Sequence, residues 1–495
     1  MTNRNFHTMN FFEKAIYKLC LFIKALPRAV ANGVKGFFFA VGRGLKNIAA
    51  GVKSYFVTFF KGDAFTKLSY LFMGLGCIVR GQVIKGLLYL GAEVGMLSYI
   101  FGFGWQYLKD IGTLGTTTET EHFDAELGIM VYGVADNSML ILLYSVMTLG
   151  LIFAFFALYL NSVNACYAAQ RCRENGQRPP AFREEIKELF DKRYQATLLS
   201  LPTLMAVAFI ILPLVFMILI AFTNYDRNHQ PPGNLFTWVG LQNFKDVFGS
   251  DSLKSHTLGY LLRWTFVWAV FATFSNYLFG MILALMINKK GIRFKKLWRT
   301  IFVITIAVPQ FVSLLLMSKM FGDLGPVNVI LQSLGLSTVK FLTDGGIARV
   351  MCVLINMWVG IPYSMLITTG ILMNIPSELY ESARIDGAGP VKAFLKITLP
   401  YMLFVTTPYL ITQFIGNINN FNVIYLLTQG DPKSVWLYQA GETDLLVTWL
   451  YKLTVNFSDY NLASVIGIIV FVISAVFSLV VYNSSKSVKN EEEFQ

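Results

Sequence analysis

The sequence predicts an all-α, polytopic membrane protein with about eight transmembrane helices and both termini on the cytoplasmic side. Three observations carry that prediction. The 495 residues are 55% hydrophobic and only 14% charged, where a soluble domain carries about a quarter charged residues. Crossing the hydrocarbon core takes about 20 mostly apolar residues, and eight stretches qualify: 83–105, 138–160, 198–222, 262–287, 300–321, 347–372, 401–428 and 462–482. The connecting segments also sort by charge. Alternate segments 1–82, 161–197, 288–299, 373–400 and 483–495 hold 30 Lys/Arg against 13 Asp/Glu, and the others (106–137, 223–261, 322–346 and 429–461) hold 7 against 15. The basic set belongs in the cytoplasm by the positive-inside bias. The net charge of +12 is therefore a record of topology, and no nucleic-acid partner is needed to explain it. Disorder, collagen-like repeats, disulfide scaffolds and ordinary cytosolic enzymes are excluded by the same composition.

Taken in order, residues 1–82 form a basic N-terminal region. Within 11–61, Lys14/Lys18 and Lys24/Arg28 recur at i, i+4 in an aromatic and aliphatic background with no run long enough to span. This reads as an amphipathic stretch on the inner leaflet, where anionic lipid attracts each cation; a docking arm for a protein partner is the rival reading. It lacks the continuous apolar core and cleavage site of a signal peptide. Residues 83–197 hold the first two spans and a cytoplasmic loop, the first span being the weakest because Lys85 and Glu93 fall inside it. Residues 198–261 supply a third span and a short outer loop. Residues 262–482 contain the remaining five spans, the last running from Leu462 to Tyr482 without a charge, and 483–495 form a cytoplasmic tail.

Several chemistries find no support. Cys20, Cys77, Cys166, Cys172 and Cys352 all avoid the outer loops, so no extracellular disulfide framework is available. Cys166 and Cys172 lack a second close pair, which argues against structural zinc. His122 lies among Glu119, Glu121, Asp124 and Glu126, a set that could attract a cation but reads as a solvated acidic loop. No Gly-Lys dipeptide occurs, so no Walker A loop can be written, and no Gly-x-Ser-x-Gly elbow is present. Nothing points to catalysis by this chain, and any driving hydrolysis must come from another polypeptide.

The most informative segment is 373–400. Pro376 and Ser377 offer a helix start with Ser377 as candidate N-cap. Asp386-Gly387-Ala-Gly389 breaks that helix, Pro390 suits the first turn of a second, and Leu399-Pro400 ends it at the membrane. Leu379, Tyr380 and Ala383 offer an apolar face to something outside the bilayer. The spacing Glu381-Ser382-Ala383, Gly387, Ile397, Leu399-Pro400 resembles the EAA loop of importer permeases of the ATP-binding-cassette superfamily, with every interval kept and serine in place of the first alanine. In that family the first helix of the loop docks in a cleft of the ATPase subunit. The resemblance implies an ATPase-coupling role for Glu381, Ser382, Ala383, Asp386 and Gly387, and the type I importer permease fold.

Polar residues inside spans face cavities or partner helices. Gln413, Asn417 and Asn420 fall at i, i+4 and i+7 in the seventh span; the sixth adds Asn356, Trp358, Gly360, Pro362 and Tyr363, and Pro309-Gln310 breaks the fifth. Uncharged amides and rings suit a neutral polyhydroxylated ligand, because amides pair with hydroxyls and rings stack on the apolar faces of sugars. The stretches Ala307-Val-Pro309, Trp358-Val-Gly360-Ile-Pro-Tyr363 and Asn417-Ile-Asn-Asn420 look like permeases of the maltose/maltodextrin type, as does the outer-loop segment 224–244. Coverage is good from about 198 to 482. That resemblance implies sugar contacts at Gln310, Val359, Gly360, Tyr363, Gln413, Asn417 and Asn420. It departs at Ile306, where the family has a sugar-contacting tyrosine, and at Gln310 and Gln413, which replace serines; the outer loop 223–261 also lacks a large insertion. The amides could instead join helices to one another.

The resemblance further implies a multi-pass protein of the plasma (inner) membrane that imports a maltodextrin-like oligosaccharide. Its partners would be a second permease subunit, two ATPase subunits, an extracytoplasmic sugar-binding protein and membrane lipid. No cofactor is implied in this chain, with ATP and magnesium held by the ATPase subunits. Alternatives are the same architecture carrying another neutral or uronate oligosaccharide or a glycerol phosphodiester, and a secondary transporter. The last would need a coupling-ion site, yet Glu93 is the one carboxylate within a span.

Overall fold

The computed structural model describes residues 42–43, 46, 51, 55–118, 121–124, 129–133, 135–249, 252–289 and 291–484. Most of the basic stretch 11–61, Cys20, several residues of the acidic loop around His122 and the tail beyond 484 lie outside the described residues. The described residues divide into two compact units: one takes those from 42 to 243 together with 459–464, and the other takes 244–458 and 465–484.

The first unit is built on Val83–Leu108, Ser138–Glu174 and Tyr194–Ile220. Asn137 starts the second of these by accepting the amides of Met139 and Leu140, both at 3.1 Å. At 37 residues it is about 55 Å long, well beyond the hydrocarbon core, so residues 161–174 of the expected cytoplasmic loop 161–197 continue the helix of the span. Arg171 and Arg173 in its last turn suit the negative end of the helix. Against its far end packs the described part of the N-terminal region. There Arg80, buried, donates to Asp63 (2.5 Å), Thr66 (2.7 Å) and the Cys166 carbonyl (2.9 Å). Burial opposes the charge on Asp63, but the Arg80 and Thr66 hydrogen bonds hold its carboxyl below the usual range. One departure from the all-helical expectation is a small antiparallel hairpin, Glu121–Asp124 with Ile129–Tyr132.

The second unit contains Leu253–Asn288, Gly345–Leu372 and Pro390–Leu427, together with most of the Tyr460–Ser484 helix. Ser252 caps the first through the Lys254 amide (3.2 Å), and Asp344 caps the second through that of Ile347 (3.0 Å). These two pack closely because Gly280 has no side chain: a Cβ there would lie 2.6 Å from the Ser364 Cβ. Trp264, Trp268, Leu314, Cys352, Ile355, Val423 and Ile424 fill the core between the elements.

Seven helices among the described residues are long and apolar enough to cross a membrane. The expected fifth span, 300–321, is not one straight helix. It consists of Lys295–Ala307 and Gln310–Met320, bent by 86° at the intervening Val308-Pro309. Proline has no N–H for the preceding turn and its ring crowds that turn, so the chain restarts in a new direction. Counting this pair as one span restores eight. The seventh span differs as well: Leu399-Pro400 does not end the second helix of the 373–400 loop. The chain runs from Pro390 through a widened π turn, Phe394–Thr398, into Leu399–Ile418, with Pro400 in the first turn of the latter.

Candidate functional site: a cavity at Pro309 and the 373–400 loop

The broken fifth span and the middle of Gly345–Leu372 enclose a cavity of about 380 Å³. Thr305, Ile306, Val308, Pro309, Gln310 and Ser313 form one wall, and Trp358, Val359, Gly360 and Tyr363 the other. None of these side chains is charged. Trp358 and Tyr363 are largely exposed, at 63% and 48%, so their ring faces are available for stacking. The proline break sets up the first wall, since the last carbonyls of Lys295–Ala307 have no intrahelical donors. Gly360 has a separate job: a Cβ there would fall 2.1 Å from Nδ2 of Asn276, so glycine lets the Leu253–Asn288 helix approach.

Four of the seven sequence-derived sugar candidates, Gln310, Val359, Gly360 and Tyr363, are thus brought together. The other three do not line this cavity. Gln413 is half-buried on Leu399–Ile418. Asn417 is buried; its Nδ2 donates to Thr273 Oγ1 (3.0 Å), and its backbone carbonyl accepts from Trp268 Nε1 (3.0 Å). Asn420 lies beyond the helix end at Ile418 and caps Phe421–Leu427 by accepting the Val423 amide (3.2 Å). The face that an unbroken helix would give these three amides is therefore divided. Thr305 and Ser313 were missed; Ser313 follows Gln310 at i+3, a spacing that places both on one helix face.

The 373–400 loop begins with Ser377–Ile385. Pro376, rather than Ser377, occupies the N-cap position, and Ser377 is the first helical residue. At the other end Asp386 is the C-cap and Gly387 is left-handed, with φ +72°. The Ala388 amide donates to the Ala383 carbonyl (2.8 Å) and the Gly387 amide to that of Arg384 (3.0 Å), the paired bonds of a Schellman motif. Pro390 opens the following segment from Gly389 as expected. Tyr380 does not face outward: its hydroxyl hydrogen-bonds Thr398 Oγ1 (2.8 Å) and its ring packs near Ile375 and Met402. Glu381, Ser382, Asp386 and Gly387 are exposed and Ala383 is half-buried. The large apolar side chains on the open surface are Met373, Leu379, Ile385 and Val391, the last two 87% and 72% exposed. The sequence reading overlooked Ile385, whose place just before the helix end was the available signal.

A family model described as binding-protein-dependent transport system inner membrane component matches residues 276–490. The galactooligosaccharides transport system permease protein GanP of Bacillus subtilis (strain 168) is 36% identical over 425 residues, 84% of this chain and 96% of its own length. The maltodextrin transport system permease protein MdxF of the same organism is 34% identical over 430 residues, 85% and 95% of the two chains. Among solved structures, a bacterial ABC transporter involved in the import of the acidic polysaccharide alginate aligns with a TM-score of 0.50 at 23% identity, covering 62% of this chain and 99% of the matched one. That last likeness concerns the fold.

Proposed function

This chain belongs to the family of binding-protein-dependent transport system inner membrane components, and on that premise we propose that it moves a neutral, maltodextrin-like oligosaccharide through the cavity at the Pro309 break. The carrying observation is the wall chemistry: Gln310, Thr305 and Ser313 for hydroxyls, Trp358 and Tyr363 for ring faces, and no charged side chain. A uronate chain or a phosphodiester would call for a cation, which this wall lacks. A galactooligosaccharide is the second reading, supported by the 36% identity to GanP against 34% to MdxF.

As a permease subunit the chain leaves ATP hydrolysis, with its ATP and magnesium, to separate subunits. In the proposed cycle an external binding protein delivers sugar to an outward-open cavity, this chain being paired with a second permease. Two ATPase subunits engage the loop bearing Glu381, Ser382, Ala383, Asp386 and Gly387, and their closure biases the outward-facing state because they bind it better. Both termini lie in the cytoplasm, as the charge sorting supports.

The test is the ATPase rate of the reconstituted transporter with its binding protein and a ligand panel. Maltodextrins, or failing them galactooligosaccharides, should stimulate hydrolysis, while alginate oligomers and glycerol phosphodiesters should not. Silence toward every neutral saccharide would overturn the proposal.

A further inference from the structure

We propose that Lys289 and residues 291–299 form a binding surface for the headgroups of anionic phospholipids. Six cations (Lys289, Lys290, Arg293, Lys295, Lys296 and Arg299) occur in the sequence 289–299 with no carboxylate among them. Two of them tie the segment down. Lys295 Nζ donates to the Asn288 carbonyl (3.1 Å), and Arg299 donates to the Asn288 side chain, which itself holds the Ala284 carbonyl (2.7 Å). Lys289, Arg293 and Lys296 are exposed and pair with no carboxylate among the described residues.

Two features select a lipid over a soluble anion or a protein. The first is depth. The segment joins the membrane-crossing Leu253–Asn288 helix to Lys295–Ala307 through only residues 289–294, and the apolar stretches 262–287 and 300–321 lie directly on either side of it, which keeps it at the membrane face. It also sits at the coupling-loop end of the bundle, because Leu283, Ala284 and Ile287 pack with Leu372, while Leu285 and Met281 pack near Ile375 and Tyr380. The second feature is the apolar surface between the cations: Ile292, Phe294, Leu297 and Trp298 are 41%, 75%, 55% and 47% exposed. Cations interleaved with exposed aromatic and aliphatic side chains match a headgroup–acyl boundary, where rings and stems sink inward and charges meet phosphates. Phe294 supports this placement, since it holds a left-handed backbone (φ +59°) with its ring in the open.

The experiment is native mass spectrometry of the full-length chain with its co-purifying subunits, titrated with phosphatidylglycerol or phosphatidylcholine of identical chains. Wild type should retain phosphatidylglycerol preferentially. The Lys289→Gln/Arg293→Gln/Lys296→Gln variant should lose roughly 10- to 100-fold of that retention, whereas Lys289→Arg/Arg293→Lys/Lys296→Arg keeps it, and millimolar inorganic phosphate should not displace the lipid. Equal retention of both lipids by wild type, an unchanged preference in the Gln variant, loss in the charge-conserving variant, or displacement by free phosphate would each overturn the proposal. So would dissociation of an ATPase subunit from the Gln variant with lipid retention intact, which would make the segment a protein interface.

Discussion

The helices of the second unit are interrupted at Pro309 and again at Gly387, and the two interruptions treat the backbone oppositely. At Pro309 the missing N–H leaves the preceding turn short of a donor, the helices diverge by 86°, and a cavity forms at the corner. At Gly387 the left-handed residue lets the Ala388 and Gly387 amides close onto the carbonyls of Ala383 and Arg384, so two backbone hydrogen bonds pin the corner. Backbone polar groups at membrane depth are tolerated where they are buried in protein or line a water-filled cavity. The proline break therefore suits a site that exchanges partners with a polyhydroxylated ligand. The glycine bend, pinned by its own paired bonds, suits a stiff lever that transmits a push.

The largest effect should come from breaking the lever. No atom lies within 4 Å of a Cβ placed on Gly387, so Gly387→Val is opposed by its φ of +72° alone. A β-branched residue in that region is strained by at least about 1–2 kcal/mol, and the bend should open. Sugar-stimulated ATPase and uptake should fall about tenfold or more, while Gly387→Asn, which tolerates the conformation, should retain most activity. Full uptake by the valine variant would remove Gly387 from the coupling path. Next comes Gly360→Ala, where the objection is steric: the new Cβ would meet Asn276 Nδ2 at 2.1 Å. Overpacking of this kind destabilises by about 1–3 kcal/mol. Gly360→Ala/Asn276→Ala should recover most of the loss in thermal unfolding and in stimulated ATPase; failure to recover would mean that Gly360 acts through the cavity itself.

Much of this was legible because its physics is local. Hydropathy over 20 residues marks a span wherever it packs, and the spacing from Glu381 to Pro400 fixes a helix–bend–helix through glycine and proline conformations alone. What escaped depended on residues distant in sequence or on where a helix happens to stop. Pro309 announces a break, but neither the 86° angle nor the packing of Leu314 with Cys352 and Ile355 can be read from the local sequence. Tyr380 looked like part of an outward face until Thr398, 18 residues on, returned to bond it. Residues 161–174 looked like loop because the apolar stretch ends at 160, yet the helix continues and buried Gln170 bonds Thr66 there. The divided amides belong to the same class, since one helix end at Ile418 separates Asn417 from Asn420.

A milder change at the first interruption should sharpen the contrast. Pro309→Ala returns the missing N–H and removes the ring, so the Lys295–Ala307 helix can extend and the angle relax. The expected outcome is a few-fold rise in the sugar concentration needed for half-maximal stimulation with little change in basal ATPase. An unchanged concentration would mean that the packing of Leu314 and its neighbours in the core, not the proline, holds the bend.

The smallest effect concerns a third kind of interruption, at Asn419 and Asn420, where a side chain rather than a proline or glycine starts the next helix. Asn420 Oδ1 accepts the Val423 amide (3.2 Å) and its Nδ2 donates to Asn417 Oδ1 (3.2 Å). Losing an N-cap costs about 1 kcal/mol, so Asn420→Ala should lower the unfolding temperature by a few degrees. Serine preserves the cap but cannot supply the amide donor. The pair of variants therefore divides the two roles open to this residue. If Asn420→Ser matches wild type in both unfolding temperature and sugar stimulation, the residue serves the fold. If it keeps the temperature but loses stimulation, the amide reaches the sugar in another state of the transport cycle, and the polar path extends past the proline cavity toward the end of Leu399–Ile418.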